Sequence, residues 1–182
     1  MDSDGPDLAE RLRRGDTAAL AEAYDEHHAH VRAFARRLVG DHAEAEDLVQ
    51  ETFLALPQAM KSFRGDASLR TFVIGIATNH ARHHVRAASR RRAAHARSGR
   101  DEPATTPSTD EGTHRRELAE ALTRALDALP FDQRVAIVLC EVEERTSAEA
   151  ARIVDAPEAT IRTRIFHAKK KLRELLESRG VR

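Results

Sequence analysis

The sequence predicts an all-α protein made of two small helical domains that are joined by a flexible linker. Ala, Leu, Arg and Glu dominate the 182 residues, aromatic residues make up only 4%, and no run of alternating β-branched residues is present. Apolar residues recur instead at helical spacing in two blocks, which small, polar and turn-forming residues separate. We therefore place the first domain at residues 8–92, the linker at 93–113 and the second domain at 114–178.

The composition is that of a globular protein from a reducing compartment. Hydrophobic residues make up 41% of the chain and charged residues 33%, which is within the ordinary range for globular proteins. The single cysteine, Cys140, cannot form an internal disulfide, and we expect its thiol to be buried because it follows the apolar run 135–139. No signal peptide and no stretch of about 18 apolar residues is recognisable. We expect a cytoplasmic protein that does not insert into the membrane.

The formal net charge is zero, but opposite charges are segregated along the chain. Residues 41–51 contain five acids and neither Lys nor Arg, whereas residues 79–100 contain seven arginines and neither Asp nor Glu. Such a distribution predicts an acidic surface for a basic partner and a separate basic surface for an acidic polymer.

The first domain is predicted to contain three main helices after a short leading segment. Thr17 is a suitable cap for a long helix that ends at Gly40, and a second helix follows, with Pro57 in its last turn. The third helix is expected from Leu69 to about Ala88. On the second helix, four polar side chains face outward as an acidic patch: Glu46, Asp47, Gln50 and Glu51.

The second domain ends in a predicted helix-turn-helix, after helices expected at 115–129 and 131–144. Thr146 and Glu149 have capping-box spacing, which starts a short helix. Asp155 and the two residues after it interrupt that helix, because Pro157 lacks an amide proton and suits the first turn of a new helix. Asp155 must then adopt a backbone conformation that glycine would adopt freely. A short helix, a tight turn and a longer helix are typical of a DNA-reading element.

The longer helix carries only basic charges between residues 159 and 173. Its first two turns present Arg162, Thr163, Phe166 and His167, where a recognition helix contacts base edges, and lysines follow where contacts to the DNA backbone usually fall. A run of basic residues alone is usually a solvated surface, so the broken helix pair ahead of it is what favours DNA.

Neither a metal site nor an enzyme is predicted. His80 and His84 lie one helical turn apart, but no cysteine or carboxylate follows at ligand spacing, which favours packed or phosphate-facing imidazoles over a zinc site. The sequence contains no glycine-rich phosphate loop, no nucleophile elbow and no paired carboxylates of a plausible cleft. We therefore predict no catalytic residue, no metal and no cofactor.

Five stretches in both domains carry a family resemblance. They are AEDLVQETFLAL (45–56), SFRGDASLRTF (62–72), IGIATNHAR (74–82), LPFDQRVAIVL (129–139) and SAEAARIVDAPEATIRTRIFHAKKKL (147–172). In this order, across a linker, they resemble the group IV, or extracytoplasmic-function (ECF), sigma factors of the sigma-70 family. The resemblance implies a non-catalytic subunit that lends promoter specificity to bacterial RNA polymerase, with region 2 in the first domain and region 4 in the second.

The resemblance also implies partners and residue roles. The implied partners are core RNA polymerase, through its β′ clamp helices and β flap, promoter DNA and an anti-sigma factor. The clamp helices would be gripped by Asp47, Leu48, Gln50 and Glu51. The opened minus-ten element would be bound by Phe63, Arg64, Gly65, Asp66, Ala67, Ser68, Arg70, Phe72, Asn79, Arg82 and Arg86. The duplex minus-thirty-five element would be read by Arg162, Thr163, Arg164, Phe166, His167, Lys169 and Lys170.

The chain departs from the family pattern at several positions. Phe72 replaces a common tryptophan and Leu69 another aromatic residue, which weakens expected stacking on the melted strand, and Arg145 and Ala159 stand where many members have glycine. His167 stands where arginine is frequent, so DNA affinity is expected to depend on pH near the imidazole pKa.

One alternative remains at the level of the sequence. A transcription activator would use the C-terminal helix-turn-helix alone, with the first half as a partner or sensor domain. A closed ligand pocket in the first half would favour the activator. Exposed acids beside a basic, loop-capped helix would favour the sigma factor.

Overall fold

A computed structural model of the chain describes the backbone of residues 6–98 and 121–177, and the side chains of 8–88 and 121–177. Every regular element in these ranges is helical, as the sequence predicts. The α-helices are α1 (Pro6–Arg13), α2 (Thr17–Val39), α3 (His42–Ala59), α4 (Leu69–Ser98), α5 (121–127 as described), α6 (Phe131–Ile137), α7 (Ser147–Val154) and α8 (Glu158–Glu177). A 3₁₀ turn (Met60–Ser62) follows α3, and a π-helical turn (Val138–Val142) follows α6.

Helices α2, α3 and α4 pack on one another, and α1 lies across α2 and the 3₁₀ turn. Apolar residues at helical spacing face inward, so that Phe34, Leu38, Leu56 and Ile74 are almost completely buried. Each such side chain contributes roughly 1.5–3 kcal/mol when it leaves water. This packing fixes the outer faces of α3 and α4 relative to each other.

Short polar side chains determine where the helices of the first domain begin. Asp16, and not the predicted Thr17, is the cap of α2: its carboxylate accepts hydrogen bonds from the amides of Ala18 at 2.8 Å and Ala19 at 3.3 Å. Arg11 and these two amides lower the pKa of Asp16. Asp41 caps α3 in the same way by accepting from the amide of Glu44 at 2.9 Å.

The second domain contains α5 to α8 and carries the predicted helix-turn-helix. The capping box is confirmed, because Thr146 accepts from the Glu149 amide at 3.2 Å and its own amide donates to the Glu149 carboxylate at 2.8 Å. Asp155 ends α7 in the left-handed region, with φ 51° and ψ 60°, and α8 begins directly after Pro157. The helix predicted at 131–144 is α-helical only to Ile137 and then widens into the π-helical turn.

Helix α4 is longer than predicted. It continues to Ser98, ten residues beyond the expected end near Ala88, so residues 93–98 of the predicted linker are helical. Alanine and arginine are good helix formers, and this segment contains neither proline nor glycine to stop the helix. The rest of the predicted linker, 99–113, lies outside the described residues.

The two domains contact each other directly. Helix α4 of the first domain packs against α7 and α6 of the second, and α2 packs against α6 and the π-helical turn. The buried apolar residues of both domains form one continuous cluster. None of the helices in the described ranges has the length and apolar character needed to span a membrane.

Candidate functional site

The outer face of α3 presents acidic and apolar side chains together. Asp47, Gln50 and Glu51 are exposed, as expected for a partner-binding surface, but Leu48 is fully buried in the core and can only support that surface. Leu54, which sequence reasoning missed, is 78% exposed. The place of Leu54 on this face could have been predicted from the sequence, because residues 47, 50, 51 and 54 follow one another at the spacing of a single helical face.

An open apolar groove of about 490 Å³ lies between α2 and α3 beside these residues. Leu20, Tyr24, Phe53 and Leu54 supply its apolar lining. The Tyr24 ring meets Phe53 edge-on, with ring centroids 4.9 Å apart, so the two helices contribute packed aromatic rings to the groove. An exposed leucine beside an apolar groove and surrounding acids is typical of a surface that binds another protein.

Two imidazoles of α4 hold the carboxylate of Glu51. The ring nitrogens Nδ1 of His80 and Nε2 of His84 lie 3.2 Å and 3.0 Å from the same oxygen, Oε2. The sequence predicts that the two histidines lie one turn apart on the same helix. It does not reveal their carboxylate partner, because Glu51 belongs to another helix. Within the described part of the chain, no group of three His, Cys, Asp or Glu side chains is arranged to hold a metal ion.

The loop between the 3₁₀ turn and α4 is anchored at both ends. Phe63 packs against Phe72 with ring centroids 4.8 Å apart, and Arg13 of α1 lies over the Phe63 ring while donating to its carbonyl oxygen at 2.8 Å. At the other end, Ser68 accepts a hydrogen bond from the Thr71 amide at 3.2 Å. Residues 64–67 between these anchors are exposed.

The polar and basic residues assigned to α4 do not share one environment. Asn79 and Arg86 are exposed, whereas Arg70 and Arg82 are partly buried and each contacts an acid of the second domain. Arg82 Nη2 lies 3.5 Å from the carboxylate of Asp132. The predicted basic face of this helix is therefore only partly free in this arrangement.

The recognition helix α8 turns most of its predicted residues outward. Arg162, Thr163, Phe166 and His167 are exposed, and Phe166 is 66% exposed although it is aromatic. Of the remaining three, Lys170 is exposed, Lys169 pairs with Glu141 at 2.8 Å, and Arg164 is partly buried against Asp132 at 3.1 Å.

Burial also determines the protonation of two groups near the domain contact. Burial lowers the pKa of His30, and the cations Arg70 and Arg145 act in the same direction, while Glu143 opposes them. Burial raises the pKa of the Cys140 thiol, and the carboxylate of Glu141 adds to the effect. At neutral pH the imidazole of His30 is therefore uncharged and the thiol is protonated, which fits a packed rather than a reactive cysteine.

Comparison with known protein families gives two matches. The family model described as Sigma-70 region 2 matches residues 23–91, and the model described as Sigma-70, region 4 matches residues 119–172. The first match spans the face of α3, the loop and α4 up to residue 91, and the second spans the helix-turn-helix.

Individual relatives resemble the chain over nearly its whole length. It is 30% identical to the RNA polymerase sigma-H factor of Pseudomonas aeruginosa, with 93% of this chain and 92% of the relative covered. It is also 30% identical to the ECF RNA polymerase sigma-E factor of Escherichia coli K12, with 89% and 88% covered. A solved structure, the sigma factor RpoE of Bartonella quintana with the anti-sigma factor NepR, aligns with a TM-score of 0.63 at 28% identity, over 82% of this chain and 91% of that one.

Proposed function

The chain belongs to the sigma-70 family as an ECF-type sigma factor, and on this basis we propose which of its surfaces binds each partner during transcription initiation. In this proposal the acidic face of α3 binds core RNA polymerase, the loop and α4 bind the opened minus-ten element, and α8 reads the minus-thirty-five element as duplex. The family match over residues 23–91 argues against a sensor domain and hence against the activator.

The observation that carries the proposal is the exposed acidic and apolar face of α3. Asp47, Gln50 and Leu54 are exposed beside the groove between α2 and α3. Acids beside a basic helix do not favour DNA binding, so their exposure next to an apolar groove favours a separate, basic protein partner. A basic helix pair with one apolar side chain would fit both the charge and the groove, and we assign this partner as the clamp helices of the polymerase.

The loop provides the features that capture of one unstacked base requires. Flipping a base out of the duplex costs on the order of a few kcal/mol. Residues 64–67 are exposed between two anchored ends, and the paired rings of Phe63 and Phe72 form an aromatic support at one end. Stacking of one base on an aromatic side chain is worth roughly 1–3 kcal/mol, which offsets most of the cost. The exposed Asn79 and Arg86 would then follow the single strand along α4.

The recognition helix has the charge and exposure needed for the major groove. Arg162, Thr163, Phe166 and His167 project from its first turns, and Lys170 follows nearer the backbone of the DNA. Helix α7, which the capping box and Asp155 hold at the turn, fixes the angle of α8. Each good bidentate contact to a base edge contributes roughly 1–3 kcal/mol of discrimination.

We further propose that a separate anti-sigma factor controls this protein. The solved relative from Bartonella quintana was crystallised with the anti-sigma factor NepR, at 28% identity to this chain. The same exposed groove on α2 and α3 that we assign to the polymerase would be the surface for which such an inhibitor competes. Capture of the protein from cells under several growth conditions should return a second small partner besides polymerase. Recovery of polymerase alone under every condition would contradict this part.

Transcription in a purified system tests the proposed function. Core RNA polymerase is mixed with this protein and a library of promoter fragments from its own genome, with no other sigma factor present. Specific initiation that core enzyme cannot achieve alone is the expected result. Initiation only when a second sigma factor is added would contradict the proposal and would support an activator.

A further inference from the structure

The loop between the 3₁₀ turn and α4 is held at its first residue by a side chain from the leading helix. Arg13, the last residue of α1, donates from Nη2 to the carbonyl oxygen of Phe63 at 2.8 Å. The same guanidinium lies over the Phe63 ring, 5.7 Å from its centroid. The match to sigma-70 region 2 begins at residue 23, so α1 lies outside the matched region.

Helix α1 is held in place by contacts of its own. Leu8 and Leu12 are 4% and 1% exposed, and the helix packs on α2, α3 and the 3₁₀ turn. Arg11 pairs with Asp16, the cap of α2, at 3.0 Å and with Glu22 of α2 at 2.7 Å. The end of α1, from which the loop is held, is thus fixed by apolar packing and by two ion pairs.

Several contacts converge on Phe63, the residue that leads into the loop. Its amide donates to the carbonyl oxygen of Met60 at 3.2 Å, and its ring packs on Phe72 with centroids 4.8 Å apart. Its own carbonyl group, which accepts from Arg13, shares a planar peptide unit with the amide of Arg64. The hydrogen bond from α1 therefore sets the direction in which the chain enters the loop.

The residues that follow extend into solvent. Residues 64–67 are exposed, and Gly65 has φ 79°, with no atom within 4 Å of the place that a Cβ atom would take. The next anchor is Ser68, whose hydroxyl accepts from the Thr71 amide at 3.2 Å. Four residues thus cross between two anchors, and loss of one anchor would let them sample more conformations. Ordering them again on binding would reduce affinity for DNA.

We propose that Arg13 is a positioning residue for the minus-ten element, because it orders residues 64–67 before the flipped base enters the loop. The inference rests on the proposed function, since it takes this loop to be the place where one unstacked base binds. Arg13 acts through Phe63 rather than by touching DNA. A guanidinium can donate from its edge while its face covers a ring, whereas the ammonium group of lysine has no such face.

Arg14 provides a matched control one residue further along. It is 74% exposed, against 35% for Arg13, and it pairs with Glu10 at 3.1 Å, the same acid that Arg13 contacts at 3.2 Å. Replacing either arginine with alanine removes one positive charge and one contact with Glu10. The contacts with Phe63 belong to Arg13. A difference between the two variants therefore reports the contact with the loop and not the change in net charge.

The first test measures the order of the loop in the free, full-length protein. Backbone ¹⁵N relaxation gives an order parameter for each residue, which is about 0.85 in rigid backbone and below about 0.6 in flexible backbone. In Arg13→Ala the order parameters of residues 64–67 should fall below those of the wild type, and in Arg13→Lys they should fall less. Arg14→Ala should leave them unchanged. Equal values in the wild type and in both Arg13 variants would overturn the proposal.

The second test asks whether the effect of Arg13 depends on the flipped base. The probe is a labelled single strand with the minus-ten element of a promoter selected by the transcription experiment. It is made intact and with an abasic site at the position where base loss weakens wild-type binding most. Arg13→Ala should bind the intact strand roughly tenfold more weakly than the wild type, because ordering the loop then opposes binding. On the abasic strand the two proteins should bind equally, since no base enters the loop.

The pattern across the two strands separates the possible roles of Arg13. Arg14→Ala should stay within about twofold of the wild type on both strands. Wild-type affinity of Arg13→Ala for the intact strand would overturn the positioning role. An equal loss on both strands, with a weaker salt dependence, would overturn it in favour of a direct contact with a phosphate. A wild type for which no single base matters more than the others would instead refute base capture by the loop, and the positioning role with it.

Discussion

Asp155 bears the conformational strain of the helix-turn-helix. Its φ of 51° lies in the left-handed region, where a side chain costs roughly 1–2 kcal/mol, although aspartate tolerates it better than most residues. The strained turn directs the chain from α7 into α8 and therefore sets the angle at which the recognition helix leaves the domain. Glu144, with φ 53°, serves the turn before α7 in the same way.

Replacing Asp155 with glycine should stabilise the second domain. Glycine adopts this conformation without the Cβ clash, so the free energy of unfolding should rise by roughly 0.5–1 kcal/mol. Urea unfolding followed by circular dichroism measures it. Ala148→Gly, at an exposed position in the first turn of α7, is the matched control and should lower stability by at most about 1 kcal/mol. A D155G protein that is less stable than wild type would show that the aspartate side chain contributes more than its backbone strain costs.

At the scale of the elements, the proposed function assigns to α8 both side chains that specify a sequence and side chains that only bind charge. Arg162 is 70% exposed and pairs only locally, with Glu158 one turn earlier. Its position on the first turns is suited to base edges, whereas Lys170 lies a further two turns along, nearer the phosphates. Removal of each side chain should therefore change DNA binding in a different way.

Arg162→Ala should relax specificity, and Lys170→Ala should weaken binding uniformly. For the arginine we expect a loss of roughly 1–3 kcal/mol on the preferred minus-thirty-five sequence and little loss on others. For the lysine we expect a similar loss of affinity on every sequence. The salt dependence of binding should correspond to about one fewer released counterion. Competition binding of the holoenzyme to a set of minus-thirty-five variants, at two salt concentrations, separates the outcomes. Identical profiles for the two variants would contradict this division.

Local patterns in the sequence predicted most elements, because local contacts create those patterns. The capping box at Thr146 and Glu149, the turn at Asp155 and the inward faces of α2 to α4 all depend on neighbours within a few residues. The prediction of Thr17 as the cap of α2 is wrong, because the carboxylate of the preceding residue, Asp16, reaches two amides of the first turn. The end of α4 was misplaced because residues 93–98 contain no strong helix breaker.

Long-range pairings could not be predicted from the sequence. Nothing local links Glu51 to His80, or Asp132 to Arg82, since each pair comes together only when helices pack. Leu48 was assigned to a binding surface by family position, yet helical phase puts it in the core, and Leu54 occupies the exposed position on that face. The sequence therefore predicts which helices carry the candidate surfaces, whereas the burial of their individual members required the packed structure.

At the scale of the whole molecule, two modules bind DNA best when a third body sets their spacing. Each module alone contributes modest affinity, and connecting them raises the total through effective concentration only when both sites lie at a matching distance. In the structure α4 packs directly against α6 and α7, so the two domains touch, which does not match two separated promoter elements. Polymerase is the body that would hold them apart.

The packing of the two domains should weaken in mild acid. The pKa of His30 is lowered below its ordinary 6.5 by burial, by Arg70 and by Arg145, with Glu143 opposing. The contribution of the uncharged His30 to the free energy of unfolding is therefore fully present above about pH 6.5, and it is lost as pH falls through the lowered pKa. Between pH 7.5 and 5.5, the unfolding midpoint of the wild type should fall more than that of His30→Gln, whose amide does not titrate. Parallel pH profiles for the two proteins would rule out this role for His30.

The central claim is that the acidic face of α3 binds core RNA polymerase, and reversing the charges of this face is the most direct test. Asp47→Lys with Glu51→Lys alters exposed side chains outside the core, and the second change also removes the contacts of Glu51 with His80 and His84. The matched control, Glu26→Lys with Glu177→Lys, makes the same change in net charge elsewhere. Affinity for core RNA polymerase is measured for both variants by fluorescence anisotropy. We predict a loss of at least about tenfold for the first, or roughly 1.4 kcal/mol, and little change for the control. Unchanged affinity in the first variant would contradict the account.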